Sequence, residues 1–241
     1  MKVGLVIPVL NNFQQALDLI ASAKTKSHEL KIYIQQQYHY QKPLAAAWNT
    51  GISQAIRDNC GYIIVANDDV LFAPDSIDRA IMEFASLDSE YVLYGFKDAK
   101  KTFDNPLEIL FSGSDTEWVL EEAELFSCFI VDSRFFDTCG KFVENFLPCF
   151  WEDNDMHYRI HLLGYKIYHS STPYIHIGNQ TTRFLSQSVV QNGAKYFVEK
   201  WGSLNRGQAN WDKSFTPPLM ELYTVPYNNL EYTPKEWRNY V

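Results

Sequence analysis

The sequence predicts an α/β fold, a mainly parallel central sheet with helices on both faces, and three observations predict it. Short apolar runs alternate with helical patterns from Lys2 to Phe96, a βαβαβα order that favours parallel strands joined by crossover helices. Ile63-Ile64-Val65 is a continuous β-branched run, the pattern of a strand buried on both faces. That strand runs into Asn67-Asp68-Asp69, which places polar side chains at a strand's carboxyl end, where open α/β sheets bind ligands.

The elements follow in order. Lys2 to Val9 reads as the first strand and ends in Pro8-Val9-Leu10-Asn11-Asn12. A helix from about Phe13 to Ser22 follows, with Asn12 as its cap. Leu30 to Ile34 is a second strand. Leu44 to Ile56 is helical, because Leu44, Trp48, Ile52, Ala55 and Ile56 share helical spacing. The third strand is Gly61 to Ala66. Pro74 and Asp75 open a helix whose apolar face is Ile77, Ala80, Ile81, Phe84 and Ala85. Tyr91 to Phe96 is the fourth strand. Beyond it, Leu125 to Val131 reads as a buried strand and Glu152 to Leu163 as a helix stopped by Gly164. Tyr165 to His169 and Pro173 to Ile177 read as two short strands, and Phe184 to Trp201 as a last helix. The tail from Gly202 lacks periodicity but carries apolar residues, so it is expected to wrap the body.

With 241 residues and 46% hydrophobic composition, the chain can fill a sizeable core. A net charge of −8 argues against a general nucleic-acid binder, which needs a basic footprint. It does not exclude a small phosphorylated ligand whose charge a metal offsets. Cys60, Cys128, Cys139 and Cys149 show no CxxC spacing and read as reduced thiols. The chain opens directly on a strand with no signal-peptide pattern, and no run of about 18 apolar residues is present, so a cytoplasmic protein without a transmembrane segment is expected.

The candidate chemistry lies in two acidic clusters. Asp68 and Asp69 are adjacent and repel each other unless a cation, a proton or solvent relieves them; oxygen-rich sites of this kind suit Mg²⁺ or Mn²⁺ and hence phosphates. A solvated turn that merely ends the strand is the structural alternative. Trp151-Glu152-Asp153-Asn154-Asp155 opens a helix, where carboxylates meet the dipole favourably, and Asp155 can pair with Arg159 one turn on. His176 follows a short apolar stretch and precedes Gly178. His157 and His161 have a spacing that binds zinc, but HExxH is absent. Neither GxGxxG nor GxxxxGK[ST] occurs where a nucleotide site would need it.

The order of these segments resembles the GT-A glycosyltransferases, specifically the family-two group of inverting enzymes, from about Val3 to Gly178. Val6-Ile7-Pro8-Val9-Leu10-Asn11 is similar to that family's first strand and donor-binding turn. Trp48-Asn49-Thr50-Gly51-Ile52 is similar to its N-x-G helix, and Asn67-Asp68-Asp69-Val70 with Pro74 to its DxD-type segment. Gly140 to Glu144, Trp151 to Asp155 with Arg159, and Gly164-Tyr165-Lys166 resemble the block around its catalytic base. His176-Ile177-Gly178 resembles its late metal-site histidine.

The resemblance implies a single GT-A domain, Rossmann-like: residues 1–100 hold a nucleotide sugar, 101–180 supply the acceptor and catalytic half, and 181–241 form a helix and tail. It implies a nucleoside diphosphate sugar, UDP- or GDP-linked, a glycan or glycoconjugate acceptor, and a divalent Mn²⁺ or Mg²⁺. Asp69 and His176 would ligate the metal. Pro8, Val9, Asn11, Gln36, Asn49, Asn67 and Asp68 would bind the donor, with Tyr38 or Tyr40 stacking on its base. Asp153, or else Glu152, would be the base, with Trp151 and Asp155 toward the acceptor. The sequence departs from the family at Asn67, which stands for the first Asp of the commoner motif, and at Gln35-Gln36-Gln37, which lacks the usual acid. Two alternatives stay open: a nucleotide-sugar-binding protein without turnover, and a nucleotidyltransferase. The latter generally has a Gly-rich basic loop, which Pro8-Val9-Leu10-Asn11-Asn12 is not.

Overall fold

A computed structural model describes residues 1–10, 12–36, 42–99, 126–178 and 187–201. Expectations that fall on Asn11, Tyr38, Tyr40, Leu125, Phe184 and the tail from Gly202 lie outside these residues.

All described strands join one sheet in the order β2-β1-β3-β6-β5-β7-β4. The strands are β1 (Lys2–Val9), β2 (Glu29–Gln36), β3 (Tyr62–Ala66), β4 (Val70–Phe72), β5 (Tyr91–Asp98), β6 (Cys128–Asp132) and β7 (Lys166–His176). The helices are α1 (Phe13–Ser22), α2 (Leu44–Arg57), α3 (Ser76–Ser86), α4 (Phe135–Cys139), α5 (Glu152–Leu162) and α6 (Gln187–Trp201). Strands β1, β2, β3, β5 and β7 run one way, and β6 and β4 run against them.

The sheet separates two apolar layers. Alternation along β1 sends Val3, Leu5, Ile7 and Val9 to one face, with Ala16 and Leu19 of α1 and Ile77, Ala80, Ile81 and Phe84 of α3. Val6 points to the other face, with Trp48 and Ile52 of α2, Phe135 of α4 and Met156 of α5. Truncating a fully buried member such as Ile64 to Ala would cost about 2–5 kcal/mol. A third cluster, Val143, Phe146, Trp151, Phe197 and Trp201, seats α6 against the loop before α5. Gly51 allows α2 to lie on β1: a Cβ there would be 2.2 Å from Val6 Cγ1.

Several elements differ from the sequence expectation. The two short strands after Gly164 are one strand, β7. A register shift opposite Gly95 and Lys97 absorbs the polar Ser170-Ser171-Thr172 stretch, and the Thr172 N–H donates to Ser170 Oγ there at 3.1 Å. β6 enters antiparallel between β3 and β5, which the βαβ pattern alone would have made neighbours. β4 and α4 were not foreseen, being too short for periodicity to reveal. Asn12 caps α1 as expected, accepting from the Gln15 N–H at 3.4 Å. Asp75 sits at the α3 cap position with φ 58° and makes no side-chain cap bond. Its carboxylate instead pairs with exposed Lys26 at 2.8 Å.

Candidate functional site

The candidate residues gather at the carboxyl edge of the parallel strands. Pro8 and Val9 end β1, and Gln35 and Gln36 of β2 lie beside them in register. Asn67 follows β3, its N–H donating to Ser127 O at 2.9 Å, and its carbonyl closes a turn by accepting from the Val70 N–H at 3.2 Å. That turn projects Asp68 and Asp69. β4 then pairs antiparallel with the end of β7, with Val70 opposite His176. Asp69 is thereby locked: its carbonyl accepts from the Ile177 N–H at 2.9 Å and its Oδ2 from the Gly178 N–H at 3.1 Å.

The remaining oxygen, Asp69 Oδ1, stands 3.1 Å from His176 Nε2. The His176 backbone N–H donates to Asp98 Oδ1 at 3.2 Å, so β5 also holds this corner. Asp68 is 7% exposed, and burial, with the charge of Asp69 beside it, pushes its carboxyl up to about 7; the Leu10 N–H opposes the rise. Asp68 Oδ2 and Asn67 Oδ1 are buried and have no hydrogen-bond partner among the described residues. Such oxygens carry an uncompensated desolvation cost that a cation or donor ligand would relieve. The Asp69 carboxylate and the His176 imidazole are donor types that Mn²⁺ or Mg²⁺ accepts, and the two orphaned oxygens belong to the same turn as Asp69. Among the described residues no three His, Cys, Asp or Glu side chains form a complete metal-holding group.

The second cluster opens α5. This helix leads through Gly164 into β7, so its first turn lies at the same carboxyl edge. The N-terminus of α2 is there too, its Leu44 N–H donating to Pro148 O at 2.9 Å. Phe150 and Trp151 both adopt positive φ, 79° and 78°, before the helix starts. Glu152 is 4% exposed, and burial, reinforced by the Asp153 charge, holds its carboxyl well above the usual carboxylate range. Its Oε2 has no hydrogen-bond partner among the described residues. Asp153 is half-buried, and its Oδ1 accepts from the Asn154 N–H at 2.8 Å.

Other candidates are brought elsewhere. Trp151 is 6% exposed, its ring 5.0 Å from that of Phe197, which leaves no open face for stacking on a sugar. Asp155 is sealed inside: Arg159 Nε donates to its Oδ2 at 3.0 Å, and the Trp201 indole N–H to its Oδ1 at 2.9 Å. Lys200 Nζ faces the same Oδ1 at 2.6 Å. The pairing with Arg159 is thus present, whereas an acceptor-facing Asp155 is not.

Asn49 is likewise occupied. Its Nδ2 donates to Phe142 O and Glu144 Oε1, each at 2.8 Å, and its Oδ1 accepts from the Phe142 N–H at 3.0 Å. It ties α2 to the 142–144 loop rather than presenting an amide to a donor. Gln36 remains half-buried at the end of β2, while neighbouring Gln35 donates to Gln54 Oε1 at 2.7 Å. His157 and His161 stack on α5 with their Nε2 atoms 2.8 Å apart, without a third ligand among the described residues. Asp98 and Lys200 escaped the sequence reading, because only tertiary pairing brings them to these clusters.

No protein-family model and no curated protein matches the sequence. The fold matches solved structures. The catalytic domain of Drosophila beta-1,4-galactosyltransferase 7 with xylobiose superposes with a TM-score of 0.53 at 16% identity, over 77% of this chain and 74% of that one. A mutant of the same enzyme with manganese, UDP-Gal and xylobiose gives 0.53 at 18% identity over the same shares. The chain therefore has the GT-A fold.

Proposed function

We propose that the protein is a metal-dependent, inverting glycosyltransferase that moves a sugar from a nucleoside diphosphate sugar to a hydroxyl of a glycan or glycoconjugate. The observation that carries this is the Asp69–His176 pair, 3.1 Å apart beside two orphaned oxygens at the ligand-binding edge of a GT-A sheet. The galactosyltransferase structures of the same fold hold manganese, UDP-Gal and xylobiose, which favours the same classes of ion, donor and acceptor here.

Asp69 and His176 would hold the metal, leaving room for water and phosphate oxygens, as hard cations require. The ion, when bound, supplies positive charge opposite the diphosphate as the glycosidic bond breaks. Asn67 and Asp68 would bond the donor, with the backbone of Pro8 and Val9 and the amide of Gln36 bordering it. Residues 1–100 would form this donor half, and 101–180 the acceptor half.

Inversion requires the acceptor oxygen to attack the anomeric carbon from the face opposite the diphosphate. The new carbon–oxygen bond forms as the bond to the phosphate oxygen breaks, and the hydroxyl proton passes to a carboxylate. Asp153 suits that task better than Glu152. It is partly accessible at the first turn of α5, whereas Glu152 is sealed and held toward its neutral acid.

A thermal-shift series with UDP-, GDP-, CMP- and dTDP-sugars, each with Mn²⁺ and with EDTA, tests this proposal. A shift that needs both one nucleotide class and metal supports it; no shift with any pair rejects it. A second reading, nucleotide-sugar binding without turnover, is favoured by the uncharged Asn67 and the acid-free end of β2. Metal-dependent hydrolysis of the bound donor would eliminate it.

A further inference from the structure

We infer that α6 is the brace that aims the catalytic carboxylate, with Gly193 and Lys200 as positioning residues; this rests on the assignment of Asp153 as the base. Two contacts along the helix meet the turn that carries Asp153. At the first, Gly193 lies against that turn itself: a Cβ there would be 2.8 Å from Trp151 Cδ1 and 3.2 Å from Phe150 O. These two residues hold the positive-φ backbone from which Glu152 and Asp153 emerge. No side chain fits at 193 without pushing on them.

About two turns further along the helix, Lys200 and Trp201 reach the next residues of the turn. Lys200, Asp155 and Arg159 are all fully buried. Asp155 accepts from Arg159 at 3.0 Å and from the Trp201 indole at 2.9 Å, and the Lys200 ammonium lies 2.6 Å from its Oδ1. Its backbone N–H donates to Trp151 O at 2.8 Å, closing the first turn of α5 around Asp153. Burial also lowers the Lys200 ammonium to about 8, against the pull of Asp155. Buried ion groups of this kind pay heavy desolvation and are seldom more stabilising than an apolar replacement. Their distinctive effect is directional: the Arg159 guanidinium and the Trp201 indole N–H each hold one Asp155 oxygen, with the Lys200 charge beside them, and so set the carboxylate and the turn. Trp151, met by Gly193 at its ring and by the Asp155 N–H at its backbone carbonyl, transmits the fit of α6 to the backbone of Glu152 and Asp153.

The variants Gly193→Ala and Lys200→Met test the brace, with Asp153→Asn as reference, by steady-state kinetics, nucleotide-sugar titration and hydrogen exchange. Gly193→Ala improves helix propensity, so it should fold. Expected are a fall in kcat of about 10- to 100-fold with donor affinity unchanged, and faster exchange across the first turn of α5 but not across β1 and β3. Unchanged kcat in folded Gly193→Ala, or an equal loss of kcat and donor affinity, overturns the inference. If Lys200→Met does not fold, Gly193→Ala decides alone. Wild-type turnover in Asp153→Asn, or no transfer by the wild type, would instead overturn the base assignment and with it the brace.

Discussion

His176 Nε2 lies 3.1 Å from Asp69 Oδ1 because β4 and β7 pair with Val70 opposite His176. The two side chains flank one hydrogen-bonded step of an antiparallel ladder. That pairing holds the two backbones side by side.

Replacing Asp69 with Ala should therefore abolish metal-dependent nucleotide-sugar binding while leaving the sheet intact. At a ligand concentration of about 100 Kd, binding contributes about 2.7 kcal/mol of stability, and this increment should vanish from melting curves taken with Mn²⁺. An undiminished increment would remove Asp69 from the metal site.

Asp153→Asn keeps shape and hydrogen bonding but cannot take a proton from a hydroxyl. Transfer should fall by about 10²–10⁴-fold with donor affinity preserved, as read by product formation alongside calorimetric titration. Wild-type turnover would leave another group as the base.

Glu152 makes stability depend on pH. Its native carboxyl titrates above its unfolded value, so between the two the native state holds the extra proton and stability falls as pH rises. Each pKa unit of that difference is worth about 1.4 kcal/mol. Glu152→Gln should then be more stable than wild type at pH 7.5, the advantage fading as pH falls toward 4.5. Urea titrations at both pH values measure it, and an equal gap at both would show that ionisation is not the cause.

Asn49→Ala removes three hydrogen bonds between α2 and the 142–144 loop and leaves buried polar groups unpaired. A loss of about 2–4 kcal/mol in chemical denaturation is expected, with little change in the donor affinity of the folded fraction. The reverse pattern, weak donor binding without destabilisation, would return Asn49 to the donor site.

These residues also show what was legible beforehand. Ile63 to Val65 declared a central strand, because a run apolar on both faces has few other solutions. The pair Asp155–Arg159 was legible because helical spacing alone brings residues one turn apart together. Lys200 and Trp201 on the same carboxylate were not, since no local pattern encodes which helix docks on which. The tie of Asn49 to Phe142 and Glu144 was hidden for the same reason, since they come from a distant loop. The proximity of Asp69 and His176 was legible only through the family resemblance, because the three-residue β4 that pairs them is too short to read from the residues. Trp151 was placed toward the acceptor by resemblance, but a large aromatic beside a helix start equally suits a core, and α6 packs against it.

The antiparallel β6 has a consequence for how the chain must assemble. β3 and β5 are complete by Asp98, yet they share no edge; each pairs instead with β6, at Cys128–Asp132. A nascent chain that has emerged only as far as the end of β5 carries two apolar strands with open sides and nothing between them. Such edges invite pairing with other chains until the missing strand arrives. The long-range closure also raises contact order, which slows folding. The segment up to Asp98 and the segment from residue 126 are thus stitched together by β6, and severing the chain between them would yield two sticky fragments rather than two domains.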